Sequence, residues 1–191
     1  MPSRRHKASP EQTTLLAAAF PPHLRSDVAL IAEYICPSVM SGRGLSVVVQ
    51  EAPLTLPYRV QHRGDDSLFS QLNEPQALLY ACIQSRHHDG HIRQRQIGRL
   101  AGGSKPWVAP FLLQLCSEYV VEILQEIETC LPLLDKHVYD AVLRDNPAFL
   151  ALAQQRMTSY WDCYYRRRQP ERETYVGFRQ FEQFRNWQAS E

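Results

Sequence analysis

The residues best suited to chemistry lie in Arg86-His87-His88-Asp89-Gly90-His91, which holds three of the seven histidines in the 191-residue chain. His87 and His91 stand at i and i+4, a spacing that puts two imidazoles on one helical face where they can share a metal ion. A third or fourth ligand would have to come from another element, and Glu118 or Glu122 can supply it by folding alongside. The alternative expectation is therefore a metal-dependent enzyme using His87, His88 and His91. The leading one is plainer: Asp89-Gly90 breaks the helix between them and leaves the imidazoles in a solvated turn.

Glu118, Glu122 and Glu126 recur every four residues. As like charges on one helix face, each neighbouring pair costs about 0.2–0.5 kcal/mol, so something should compensate them. Arg95 and Arg99, also four apart, can do so if their helix packs antiparallel to the strip, through bidentate pairs. An acidic surface for a basic partner is the other reading. Arg166-Arg167-Arg168 follows Tyr160, Trp161, Tyr164 and Tyr165, the mixture of cations and aromatic faces that single-stranded nucleic acid binds. A basic run at a helix C-terminus is also what the helix dipole favours. The chain has no Gly-x-Ser-x-Gly, no Gly-x-x-x-x-Gly-Lys-Ser/Thr and no Gly-x-Gly-x-x-Gly, so no nucleophile elbow or phosphate loop supports catalysis and no cofactor is called for.

The elements that must carry these residues are helical. Apolar spacing and punctuation predict helices over 11–20, 22–40, 74–87, 91–101, 106–130, 133–144, 147–168 and 174–188. Pro21-Pro22, Gly102-Gly103, Leu131-Pro132, Asn146-Pro147 and Gln169-Pro170 fall between them. Only Leu45–Val49 and Leu54–Gln61 resemble strands, and Pro57 confines the second to an edge; a hairpin or extended arm over 45–61 fits. The 106–130 stretch is apolar over about two thirds of its circumference and reads as the central helix. In the 147–168 helix, Leu150, Ala153, Met157, Tyr160, Trp161 and Tyr164 form one stripe expected to be buried. Phe178, Phe181, Phe184 and Trp187 sweep a wide face of the last helix, and nine of the 19 aromatics lie between Tyr160 and Trp187.

Composition narrows the classes. Twenty-one Lys+Arg against 20 Asp+Glu, with 44% hydrophobic residues, describes an ordinary globular chain, and neither disorder nor an extended polyanion-binding surface fits it. Residues 111–150 concentrate the acid, with seven Asp/Glu against two Lys/Arg. The basic residues divide as 18 Arg and 3 Lys, scattered as a compositional bias would scatter them. The uncharged run Pro106–Ser117 has 12 residues, short of the ~20 a membrane span needs. Five cysteines without a Cys-x-x-Cys suggest reduced thiols, and with no well-formed signal segment the expected compartment is cytoplasmic. Residues 1–10 are expected to be a flexible basic tail and 11–191 a single domain.

The segment Asp89–Leu100, followed by Trp107–Leu113, resembles a HEAT-type helical hairpin, with Asp89, Arg93, Ile97 and Leu100 at that pattern's Asp, Arg and apolar positions. The resemblance covers about residues 89–130. It implies a stacked antiparallel helix pair and the scaffold or binding role typical of such proteins.

Together these readings predict a mostly all-α, single-domain bundle of about eight helices, with stacked helical hairpins one arrangement of them and a short β-like arm. The expected role is non-catalytic: an adaptor, scaffold or inhibitor-like module that binds another protein. The expected contact residues are Tyr165, Arg166, Arg167, Arg168, Phe178, Phe181 and Trp187 on the aromatic helices and Glu118 and Glu122 on the acidic strip. Nucleic acid through residues 160–168 is the alternative partner, self-association stays open, and no membrane partner is expected.

Overall fold

Ser9 opens the first helix in the computed structural model, which describes residues 9–35 and 39–189. Its hydroxyl accepts the Gln12 N–H at 3.2 Å while the Gln12 side chain accepts the Ser9 N–H at 3.3 Å, so two otherwise unpaired donors are satisfied reciprocally. Helix α1 (Pro10–Ala17) therefore already includes Pro10, while residues 1–8 of the expected tail lie outside the described residues. A short 3₁₀ turn at Pro22–Leu24 leads into α2 (Arg25–Ile35), whose Val28, Ile31, Ala32 and Ile35 enter the core. The predicted helix over 22–40 is too long. Val39–Ser41 is instead strand β1, antiparallel to β4 (Arg59–Gln61), and Pro37 lacks the N–H that a helix through it would use.

The arm is a hairpin of β2 (Leu45–Val49) and β3 (Ala52–Leu56), and it lays Val47, Val49, Leu54 and Leu56 on the core. Its two-residue turn puts Gln50 and Glu51 at φ 49° and 65°, the left-handed region that tight hairpins demand and that Asn-Gly fills with less strain. Pro53 stands opposite Val48 without loss of a ladder bond, because the Val48 backbone turns outward. Its N–H donates to Asn146 Oδ1 and its C=O accepts from Asn146 Nδ2, both at 2.7 Å. Pro57 splits the predicted strand over 54–61 into β3 and β4.

Ten α-helices stand among the described residues where the sequence predicts about eight, because two predicted helices divide. After α3 (Glu74–Gln84), opened by an Asn73–Gln76 capping box, the 91–101 segment becomes α4 (Gly90–Arg95) and α5 (Ile97–Ala101). The 106–130 segment becomes a 3₁₀ turn, α6 (Ala109–Leu115) and α7 (Val121–Cys130). Every residue of α6 is buried, so the centre of the molecule falls where the apolar run predicts it. Helices α8 (Lys136–Asp145) and α9 (Pro147–Tyr160) pack against it, and α10 (Val176–Ala189) packs on α7, α8 and α9. The architecture is thus a mostly α bundle with a short β arm. The region resembling a HEAT hairpin is five short segments rather than two long helices. Among the described residues no helix is long and apolar enough to cross a membrane.

Candidate interaction site

The break between α6 and α7 creates the site. Cys116, Ser117 and Glu118 donate their N–H groups to the carbonyls three residues back, at 3.1–3.2 Å, so the helix tightens and ends. The Ser117 hydroxyl donates to the Gln114 carbonyl at 2.7 Å and reinforces the stop. Val120 is extended, at φ −86° and ψ 107°. Neighbouring side chains of the non-helical segment go opposite ways: Glu118 is buried and Tyr119 is exposed. The expected ladder of Glu118, Glu122 and Glu126 on one helix therefore does not exist. Glu118 is in the interior, and Glu122 and Glu126 are exposed on α7.

Around Glu118 stand three arginines. Arg59 Nη2 approaches Glu118 Oε2 at 2.7 Å, Arg93 Nη2 the same oxygen at 3.2 Å, and Arg86 Nη2 Oε1 at 3.5 Å. Arg86 and Arg93 are each only 1% exposed, whereas Arg59 reaches solvent through the 15% of its side chain that is open. Backbone carbonyls take other donors: Arg93 Nη1 donates to His87 and His88, and Arg86 Nη2 to Tyr58. Burial pushes the Arg86 guanidinium down to about 9; Glu118 opposes the shift, and Arg59 and Arg93 add to it. A buried charge without a full set of partners is costly, so this cluster is held by the packing around it rather than being a source of stability.

Above the cluster lies a tyrosine face. Tyr119, Tyr160 and Tyr164 meet pairwise with ring centroids 5.8–6.4 Å apart, and Tyr164 is 64% exposed. Tyr58 joins them beneath two cations, with Arg59 Cζ 4.8 Å and Arg156 Cζ 5.2 Å from its ring centre. Burial and the neighbouring Tyr58 phenol raise the pKa of Tyr160. A π-helical turn at Trp161–Tyr165 produces the exposure of Tyr164. Its extra residue changes the phase of the helix, so Trp161 stays buried and Tyr165, rather than Tyr164, continues on the inner side against Tyr175. The Tyr165 hydroxyl donates to the Tyr119 carbonyl at 2.7 Å, fixing the α6–α7 break to this turn. The stripe predicted to bury Tyr160 and Tyr164 ends at Trp161.

The other predicted residues are dispersed. Arg166 pairs with Asp162 at 2.7 Å, and Arg167 and Arg168 are exposed beside it. Phe181 is in the core and Phe178 packs edge-on to Trp161, so these rings hold α10 in place. Trp187 touches Tyr139 and Phe184 and lines a cleft of about 580 Å³ with Leu131, Leu134 and Arg179. Arg95 pairs with Asp66 at 2.9 Å and Arg99 lies 4.0 Å over Phe69, so neither compensates the acidic strip.

The histidines form no metal centre: among the described residues no group of three or more His, Cys, Asp or Glu is placed to hold an ion. His87 Nε2 bonds the His62 carbonyl at 2.8 Å and His87 Nδ1 accepts the Asp89 N–H at 3.0 Å, so both ring nitrogens are engaged. His88 stacks near His87, and His91 is exposed on α4, whose N-terminus Asp89 caps. Burial lowers His62 to about 3 and lowers His87 as well.

The sequence assigns no shared site to Arg59, Arg86, Arg93, Tyr58, Tyr119 and Arg156, although Arg86 adjoins the histidine cluster and Arg93 falls at the Arg position of the HEAT-like pattern. The expected compensation of Glu118, Glu122 and Glu126 pointed to Arg95 and Arg99, whereas Glu118 alone is buried and meets Arg93, about 200° around the helix from Arg95. The chain matches no family model, no curated protein and no solved structure.

Proposed function

We propose that the protein is a non-catalytic binding module that docks another protein on the face formed by Tyr58, Tyr119, Tyr160 and Tyr164 with Arg59 and Arg156. The observation that carries this reading is the Tyr119–Tyr160–Tyr164 triad on a rigid support, in which Tyr119 and Tyr164 are exposed and Tyr160 is half-buried between them. Tyrosine and arginine dominate the residues on which protein interfaces depend, because they offer large contact area with few rotatable bonds and a polar end. Here the support is built in: the Tyr165 bond to the Tyr119 carbonyl and the Arg59–Glu118 pair fix the face before any partner arrives, which lowers the entropy lost on binding.

Capture from native lysate with tagged wild-type chain and a Tyr119→Ala/Tyr164→Ala double variant tests it. Wild type should retain a stoichiometric protein after nuclease treatment. The double variant, with its thermal midpoint within about 2 °C of wild type, should bind that protein at least ~30-fold more weakly, as for a hot-spot loss of about 2 kcal/mol. Equal retention by both proteins would overturn the reading. The same face offers stacking planes and cations suited to single-stranded nucleic acid, so a bound fraction that nuclease removes would transfer the site to that partner.

A further inference from the structure

Three guanidinium groups face one carboxylate in the interior, and their hydrogen-bonding capacity is only partly used. Arg86 Nε and Nη1 and Arg93 Nε have no partner, although the atoms are out of contact with solvent and the two side chains are 1% exposed. Buried polar atoms are nearly always paired, and buried guanidinium groups above all, since an uncompensated charge in the interior costs several kcal/mol. Glu118 supplies a single negative charge. At the cluster's outer edge stand Tyr58, Tyr160 and a fourth cation, Arg156, and among the described residues no second carboxylate pairs with Arg59, Arg86 or Arg93.

The geometry points to a binding site for a small oxyanion, phosphate or carboxylate, at the Arg59–Arg86–Arg93 cluster, entered beside Tyr58 where Arg59 and Arg156 reach solvent. Guanidinium groups are the side chains best matched to such a ligand, because their planar donors meet two oxygens at once. The anion would give the cluster the second negative charge it lacks and the unpaired nitrogens an acceptor. Arg59 is the member at the entrance: it is the one of the three that reaches solvent, and its donors can be shared between Glu118 and an incoming anion. This site shares Tyr58, Arg59 and Arg156 with the docking face, but its test reads anion binding to the chain alone and needs no protein partner, so failure of either reading leaves the other standing.

Thermal denaturation of the full chain in 10 mM inorganic phosphate or 10 mM acetate, against sodium chloride at matched ionic strength, reads the site directly. One or both oxyanions should raise the midpoint by about 4 °C over chloride, the shift expected for a ligand held at about ten times its Kd on a chain of this size. Phosphate acting alone identifies a phosphate site; acetate acting as well identifies a carboxylate-accepting one. Arg59→Gln should abolish the shift and Glu118→Gln, which leaves the cluster more positive, should enlarge it. Should Arg59→Gln fail to fold, Arg156→Gln should reduce the shift at least twofold, and the ³¹P line of phosphate should broaden with wild-type protein and sharpen on adding Arg156→Gln in its place. No rise over chloride with either probe, or a rise undiminished in the arginine variants, overturns the inference.

Discussion

Glu118 is the residue on which the site turns, because it is the shared counter-ion of Arg59, Arg86 and Arg93. Glu118→Ala leaves three guanidinium groups in the interior without it and should lower the unfolding free energy by about 3–5 kcal/mol, read by urea denaturation. The histidines give a second prediction at this scale. His62 is held at about 3 by burial and so stays neutral in the folded chain down to that pH, and burial lowers His87 in the same direction. The unfolded chain takes up those protons below about pH 6.5, so stability is complete above that pH and falls as the pH drops towards 3. At pH 4 the His62 contribution alone should have cost about 3 kcal/mol, and His62→Leu should flatten the profile of thermal midpoint against pH between 6.5 and 4. Neither feature was legible in the sequence. An arginine in a helical stretch normally runs to solvent, and nothing in the spacing of Arg86 or Arg93 distinguishes a buried guanidinium from an exposed one.

At the scale of elements, turn chemistry and capping were the legible part. Asn73 and Asp89 cap the helices they were expected to begin or separate, and Asn146-Pro147 divides α8 from α9 as punctuation indicates. Helix length was not legible. An apolar run specifies burial and not continuity, and the run from Pro106 is buried whether or not its helix breaks at Ser117. The π turn at Trp161–Tyr165 likewise escapes a reading at 100° per residue, which assumes one phase throughout and so assigned Tyr164 to the core. Two predictions belong here. Replacing Gln50-Glu51 by Asn-Gly removes the strain of two left-handed residues and should stabilise the chain by about 1 kcal/mol in urea denaturation. Asn146→Ala leaves the Val48 N–H and C=O without their acceptor and donor and should destabilise by about 2 kcal/mol, with faster hydrogen exchange at Val48.

The whole molecule brings together what its sequence keeps apart. Tyr58 and Arg59 come from the end of the β arm, Arg86 from beyond α3, Arg93 from α4, Glu118 and Tyr119 from the α6–α7 break, and Arg156, Tyr160 and Tyr164 from α9 and its π turn. The mostly helical class was legible because it depends on local periodicity. The tyrosine face and the arginine cluster beneath it were not, because they depend on how five separate segments meet. The proposed role is best tested at position 164, where the side chain is 64% exposed. A photo-crosslinking amino acid placed there in the full chain, with a second chain carrying it at Leu30 on α2, should be irradiated in native lysate. The account predicts one protein adduct of defined mass that is resistant to nuclease, formed from position 164 and not from position 30, and lost when Tyr119 is replaced by alanine. Adducts of equal yield from both positions, or an adduct from 164 that nuclease abolishes, would contradict it.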